Sequence, residues 1–169
     1  MKKKIKIKND KLPIETHGNW YDLKATETTI LKAPHLEESG RIVFNNALLK
    51  LNLSIDLPKW YEIHIEPRSS AFKEFGIMMV NSGKGVVDGP DNDTKGYIGD
   101  GDVVRFHALP FRNLTVIRGD RIAQFKIVLN QKAPWWVKMR DLFYSGFEFE
   151  VVDILHNKNR GGHGTSGRN

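Results

Sequence analysis

Apolar positions along this chain fall in short runs, and where they alternate with polar ones the period is two. Lys4-Ile5-Lys6-Ile7-Lys8, Tyr61-Glu62-Ile63-His64-Ile65 and Val103-Val104-Arg105-Phe106-His107 show it most clearly. A two-residue period belongs to a strand with one buried face. Residues 28–32, 47–55, 61–65, 103–109, 114–117, 122–129 and 147–154 all read as β-rich runs, punctuated by Gly, Pro, Asn and Asp. Only 69–75 reads as a helix, a single short stretch stopped by Gly76. Many short strands with frequent turns predict an all-β sandwich or barrel-like jelly roll with one short helix.

Two segments break the rhythm and read as insertions. Residues 89–96 (GPDNDTKG) form a polar, turn-rich loop, and 134–146 carries Trp135, Trp136, Phe143 and Tyr144. The aromatic segment is expected to pack against a subunit or the core. From Asn157 onward no apolar residue but glycine remains, so the tail should be mobile unless a ligand orders it. The chain therefore divides into a β-rich domain, 1–156, and a glycine-rich arm, 157–169.

Length and composition narrow the classes. A chain of 169 residues with 40% hydrophobic content suits one domain. No apolar run approaches the roughly 20 residues of a membrane span, and no apolar stretch follows the basic N-terminus as in a secretory signal. With no cysteine, disulfides, thiol nucleophiles and zinc–thiolate sites are excluded. A cytoplasmic protein is the simple expectation. The net charge of +6 raises nucleic-acid binding, but six of the positive charges are Lys2, Lys3, Lys4, Lys6, Lys8 and Lys11. Elsewhere 20 basic residues stand against 19 acidic ones. The lysine alternation is better read as the outer face of a protected edge strand.

Candidate chemistry lies in the turns. Arg68-Ser69-Ser70 offers a guanidinium fork, two hydroxyls and free first-turn amides, a combination that suits an anion; the plainer reading is a serine cap with an ion pair. Arg160-Gly161-Gly162-His163-Gly164-Thr165-Ser166-Gly167 lets successive amides approach an anion closely; alone, such a tail is a flexible end. Gly119-Asp120-Arg121-Ile122-Ala123-Gln124 reads as a turn entering a strand. Val86-Val87-Asp88 delivers one carboxylate to the mouth of a turn, with Asp91, Asp93 and Asp100 as rivals. His17, His35, His64, His107 and His156 are scattered, and no compact His/Asp/Glu cluster has metal-ligand spacing.

In sequence and order these strings resemble the signature motifs of the homotrimeric dUTP pyrophosphatases (dUTPases), of bacterial or phage type. The likeness spans Gly18 to Gly167. GNWYDLKA from Gly18 resembles the first motif with extra residues inside it, PRSS the second, NSGKGVVD the third, GDRIAQ the fourth and RGGHGTSG the fifth. The resemblance implies a distorted, β-clip-like jelly roll that hydrolyses dUTP to dUMP and pyrophosphate. It makes Asp88 the residue that orients the attacking water, and Arg68, Ser69, Ser70, Gln124, Arg160, Gly162, Gly164, Thr165 and Ser166 the phosphate ligands. Asn81, Gly85, Val87, Tyr97 and His163 fall at the base and sugar, while Asp22 and Asp120 support the site. His163 stands where the family has a phenylalanine lid, so either it or an aromatic from elsewhere covers the base. Mg2+ is implied, held through phosphates and waters rather than by protein ligands. A homotrimer with sites shared between subunits is implied too, each tail reaching a neighbour's site.

Three other readings compete. A dCTP deaminase shares the fold and an arginine–serine motif, but needs a glutamate at the base. A catalytically weak nucleotide-binding regulatory protein would use 89–96 and Trp135-Trp136 as surfaces for a protein partner. Nucleic-acid binding by the lysine-rich N-terminus ranks last, and no membrane association is expected.

Overall fold

The computed structural model describes residues 1–80, 83–93 and 95–160. Among these the chain forms strands β1 (Lys3–Lys8), β2 (Thr16–His17), β3 (Trp20–Lys24), β4 (Thr29–Leu31), β5 (His35–Leu36), β6 (Ile42–Val43), β7 (Ala47–Lys50) and β8 (Ser54–Ile55). It continues through β9 (Tyr61–Pro67), helix α1 (Ala71–Phe75), β10 (Ile77–Met79), β11 (Gly85–Asp88), β12 (Arg105–Pro110) and β13 (Leu114–Val116). Strand β14 (Arg121–Leu129), helix α2 (Trp135–Asp141) and β15 (Phe147–Val151) complete it. The strands assemble into a distorted jelly roll. Its largest sheet, β11-β9-β14-β3-β2, packs with β15-β1-β8 and β10-β12-β7, beside two short ribbons, β13-β4 and β5-β6.

The two-residue period does what it predicts. Ile5 and Ile7 of β1, Tyr61, Ile63 and Ile65 of β9, and Phe106 and Ala108 of β12 point into one shared core, while the intervening Lys, Glu and His residues face outward. Between sheets, Tyr21, Phe125 and Phe149 interlock, with ring centroids 5.1 and 4.8 Å from Tyr21. Helix α1 ends as expected at Gly76, which takes φ 63° and returns its N–H to Phe72 O.

Three features differ from expectation. The lysine strand β1 is not an edge: it lies between β15 and β8. Lys4 and Lys6 stand opposite Glu148 and Glu150, so the basic comb meets an acidic one. The run 47–55 is broken in two. Asn52 is fully buried, its amide oxygen taking Lys24 N–H at 2.7 Å and its Nδ2 donating to Leu12 O at 3.0 Å, and this polar bracket ends one strand and starts another. The inserted 134–146 segment contains α2, a second helix beyond the one expected. It is tied down by buried Val137 and by a short hydrogen bond from the Tyr61 hydroxyl to Asp141, with Lys3 Nζ donating to Tyr61 Oη at 2.7 Å. Burial, then the Asp141 bond, push the Tyr61 hydroxyl pKa well above the ordinary phenol value. Trp135, Trp136, Met139, Leu142 and Phe143 all remain exposed; within one chain the aromatics do not join the core.

Candidate active site

Strand β9 is the rail on which the candidate residues are arranged. Its neighbours are β11 on one side and β14 on the other, and β3 lies beyond β14. Register places Asp88 opposite Glu62 near the start of β9. Gln124 lies opposite Glu66 near the end of β9, and on its other side opposite Asp22. The residues thus fall at two ends of one sheet.

At the first end, Asp88 closes β11 with its side chain 49% exposed. The insertion that follows does not carry Tyr97 away. A Cβ on Gly89 would sit 2.2 Å from Tyr61 O, and one on Gly96 2.3 Å from Gly89 C, so the two glycines pinch the loop shut at its base. Tyr97 N–H then donates to Asp88 O at 2.8 Å, as if the loop were absent. The rival carboxylates are engaged elsewhere. Asp91 and Asp93 face Lys132 at 3.4 and 3.8 Å. Asp100 accepts Leu155 N–H at 3.1 Å and lies 3.5 Å from Lys8. Glu62, across from Asp88, is held by His64 at 2.8 Å and Asn130 at 3.1 Å.

Arg160 joins this end. Its Nη1 lies 3.8 Å from Asp88 Oδ2, and its guanidinium stands 4.7 Å from the Tyr97 ring centroid. Residues 157–160 lie along 98–102 of the same chain. Gly85 and Val87 line a cavity of about 270 Å³ with Leu48, Ile65, Met79 and His107. A Cβ on Gly85 would meet Met79 Cε at 2.9 Å, so a side chain there would press on the methionine that lines this cavity.

The second end is built on a buried charge. Asp22, 2% exposed, pairs with Arg68 Nε at 3.3 Å and Arg121 Nη1 at 3.3 Å. Arg121 also reaches Glu15 at 3.7 Å, and Glu15 takes Lys24 Nζ at 2.6 Å. A buried carboxylate shared by two guanidinia fixes both forks before any ligand arrives. Ser69 is exposed, and Ser70 opens α1 without a side-chain cap bond, so the plain reading of these serines as helix caps does not hold. The Asp120 carboxylate accepts Ile117 N–H at 2.7 Å and closes the turn. Its neighbour Arg121 pairs with Asp22. Arg121, Glu15 and Lys24 were missed because nothing local to them signals a ligand; only folding brings them to Asp22.

Arg68 follows Glu62, opposite Asp88, by six positions along β9 and its exit, which at the strand rise is about 20 Å. Among the described residues no group of three His, Cys, Asp or Glu side chains could hold a metal. The donors at the second end are guanidinia, hydroxyls and an amide, which suit phosphate oxygens. Mg2+ fits here as an ion carried by phosphate oxygens and water. Asn81, Gly162, His163, Gly164, Thr165 and Ser166 lie outside the described residues.

No family model matches the chain. It is 35% identical over 150 residues, 89% of its length and 84% of the other's, to the SPbeta prophage-derived deoxyuridine 5'-triphosphate nucleotidohydrolase YosS of Bacillus subtilis strain 168. Among solved structures it is similar to the dUTPase of Streptococcus mutans (TM-score 0.55, 18% identity, covering 73% of this chain and 89% of that one). It is equally similar to a dUTPase variant of Staphylococcus bacteriophage 80alpha with dUpNHpp (TM-score 0.56, 15% identity, 77% and 92%). A variant dUTPase of S. aureus phage phi11, described with a structural Mg(II) ion, matches at TM-score 0.56 with 14% identity, covering 77% and 93%.

Proposed function

We propose a mechanism from one premise: the chain belongs to the dUTPase family, and it is an enzyme of dUTP hydrolysis. In this reading the base and sugar enter the Gly85–Val87 end, with Tyr97 against the deoxyribose, and the triphosphate meets Arg68, Ser69, Ser70 and Gln124. Asp88 orients a water and takes its proton as the oxygen attacks the α-phosphorus. The bond from that phosphorus to the bridging oxygen breaks, and pyrophosphate leaves, yielding dUMP. Arg68 and Gln124 meet the charge that develops on the phosphate oxygens. When bound, Mg2+ on the triphosphate offsets negative charge and favours one phosphate conformer. Asn81, His163 and the glycines and hydroxyls of 162–166 keep the base and phosphate roles that the resemblance implies.

The observation that carries this reading is the juxtaposition of Asp88 and Tyr97 despite the intervening loop. The 20 Å between the two ends supports the shared site: one copy supplies the nucleoside end, another the phosphate end, in a homotrimer. No described helix is long and apolar enough to cross a membrane, and we take the working compartment to be the cytoplasm. Pyrophosphate release from dUTP, dCTP, dTTP and UTP with Mg2+ tests the reading. Turnover of dUTP alone, lost in Asp88→Asn, is expected; deamination of dCTP would overturn it.

A second, non-exclusive reading is favoured by α2. Trp135, Trp136, Met139, Leu142 and Phe143 form one outward stripe flanked by Lys138 and Arg140, as suits a protein partner with apolar anchors between carboxylates. The 80alpha relatives are described as controlling transfer of virulence genes. Trp136→Ser with Phe143→Ser should leave dUTP hydrolysis unchanged while weakening any such complex.

A further inference from the structure

Ser69 and Ser70, given to the phosphates above, lead into α1, whose five residues bury only Ala71. So short a helix does not hold itself in place, and its position depends on what grips it. At its start Arg68 N–H donates to Ile122 O at 3.3 Å, and the Arg68 side chain meets Asp22. At its far end the stretch between β12 and β13 takes hold, and no step of the mechanism uses that stretch. Phe111 N–H donates to Gly76 O at 2.8 Å. The Phe111 ring packs edge-on against Phe72, with centroids 5.9 Å apart. Arg112 Nη2 makes a short hydrogen bond to Glu74 O and lies 3.5 Å from Lys73 O. The last carbonyls of a helix lack intrahelical partners, and a guanidinium there also meets the negative end of the helix dipole. The contact is close. A Cβ on Gly76 would stand 2.9 Å from Arg112 Cγ and Nε, so glycine at 76 both ends the helix and admits the arginine.

We propose that Arg112 is a positioning residue for dUTP hydrolysis, acting through α1. It touches no reacting atom: about 6 Å of helix separates Ser70 from Glu74. By holding the carbonyl end of α1, it sets where Ser69 and Ser70 stand relative to Arg68, which is held separately by Asp22. Donors placed in advance need less ordering when the triphosphate arrives. Arg112, α1 and Arg68 lie in one chain, so the device works inside the copy that supplies the phosphate end, whichever copy brings Asp88. The proposal rests on the dUTPase reading above.

The test is dUTP hydrolysis by the full chain, with deoxyuridine, which carries no phosphate, as a competing ligand and urea midpoints measured alongside. Arg112→Met keeps the stem against Gly76 and removes the donors. It should raise KM for dUTP about tenfold with a smaller change in kcat, and leave the inhibition constant of deoxyuridine within about twofold of native. Arg112→Lys restores a charged donor and should recover most of the loss. In the Ser70→Ala background Arg112→Met should cost far less than on its own, because residues that act through one group are not additive. Should Arg112→Met fail to fold, Phe111→Ala loosens the same end of α1 without altering Arg112 and should reproduce the split between dUTP and deoxyuridine. An unchanged KM, whatever the urea midpoint, or equal weakening of dUTP and deoxyuridine, would overturn the positioning role and leave the dUTPase reading standing. A native chain that does not turn over dUTP would remove both.

Discussion

The two ends of the central sheet handle charge in opposite ways. At the end proposed for the phosphates a carboxylate, Asp22, is buried and paired with two guanidinia. At the end proposed for the nucleoside the carboxylate, Asp88, is half exposed and its cation partner stands at a loose 3.8 Å. In the proposed mechanism the difference follows from what each end would do. A phosphate grip works best when its donors are fixed and need no rearrangement. A water-orienting carboxylate must keep an oxygen open to solvent, so it cannot be sequestered in an ion pair. The buried carboxylate therefore has a structural consequence when it is removed, and the exposed one a chemical consequence.

That contrast can be broken experimentally. Asp88→Asn should lower kcat for dUTP by about 10²–10⁴-fold while leaving the unfolding free energy within about 0.5 kcal/mol; a large stability loss would show that Asp88 is a structural charge. Asp22→Ala should do the reverse in emphasis. It strands Arg68 and Arg121 beside a cavity and should cost about 2–4 kcal/mol in denaturant unfolding, less than a fully buried pair because both guanidinia reach water. Activity should fall with it through misplacement of Arg68.

Two smaller effects concern what surrounds the nucleoside end. Tyr61 is 1% exposed and bonded to Asp141, and its hydroxyl holds its proton more tightly in the folded chain. The unfolded chain then loses that proton first, so stability is full below about pH 10 and falls as pH rises beyond it. Tyr61→Phe should lack this alkaline phase in urea titrations between neutral and high pH. The smallest change expected is from excising residues 90–95 and joining Gly89 to Gly96. Because the loop is pinched at its base, kcat/KM for dUTP should stay within about threefold of native, as surface insertions usually allow. A collapse of activity would mean that the loop does more than hang from the site.

Legibility varied with the kind of signal. Strands β1, β9, β12 and β14 were readable because one face of each is buried and the alternation survives in sequence. Strand β3 was not, since its last residues, Asp22, Leu23 and Lys24, are all buried and two of them are charged; their partners come from Glu15, Arg68 and Arg121, distant in sequence. Helix α2 was hidden by its inversion: small Val137 faces the body and the large apolar residues face out, the opposite of what a local pattern implies. Asp88 was preferred among the acidic residues from the apolar run leading into it and from the motif. The fold then occupied each rival with a lysine or a backbone amide.

By itself the sequence determined the strand period, the α1 stop at Gly76, the order of the motif strings and the absence of thiol chemistry, because each depends on neighbours within a few residues. Tertiary structure alone decided that β1 is central, that Asp22 lies under two arginines, that the 89–96 loop leaves Tyr97 beside Asp88, and that residues 155–160 are stitched to 98–102. These depend on register between strands far apart in the chain, and register is set by which buried faces meet, a sum over the whole core that no local window contains.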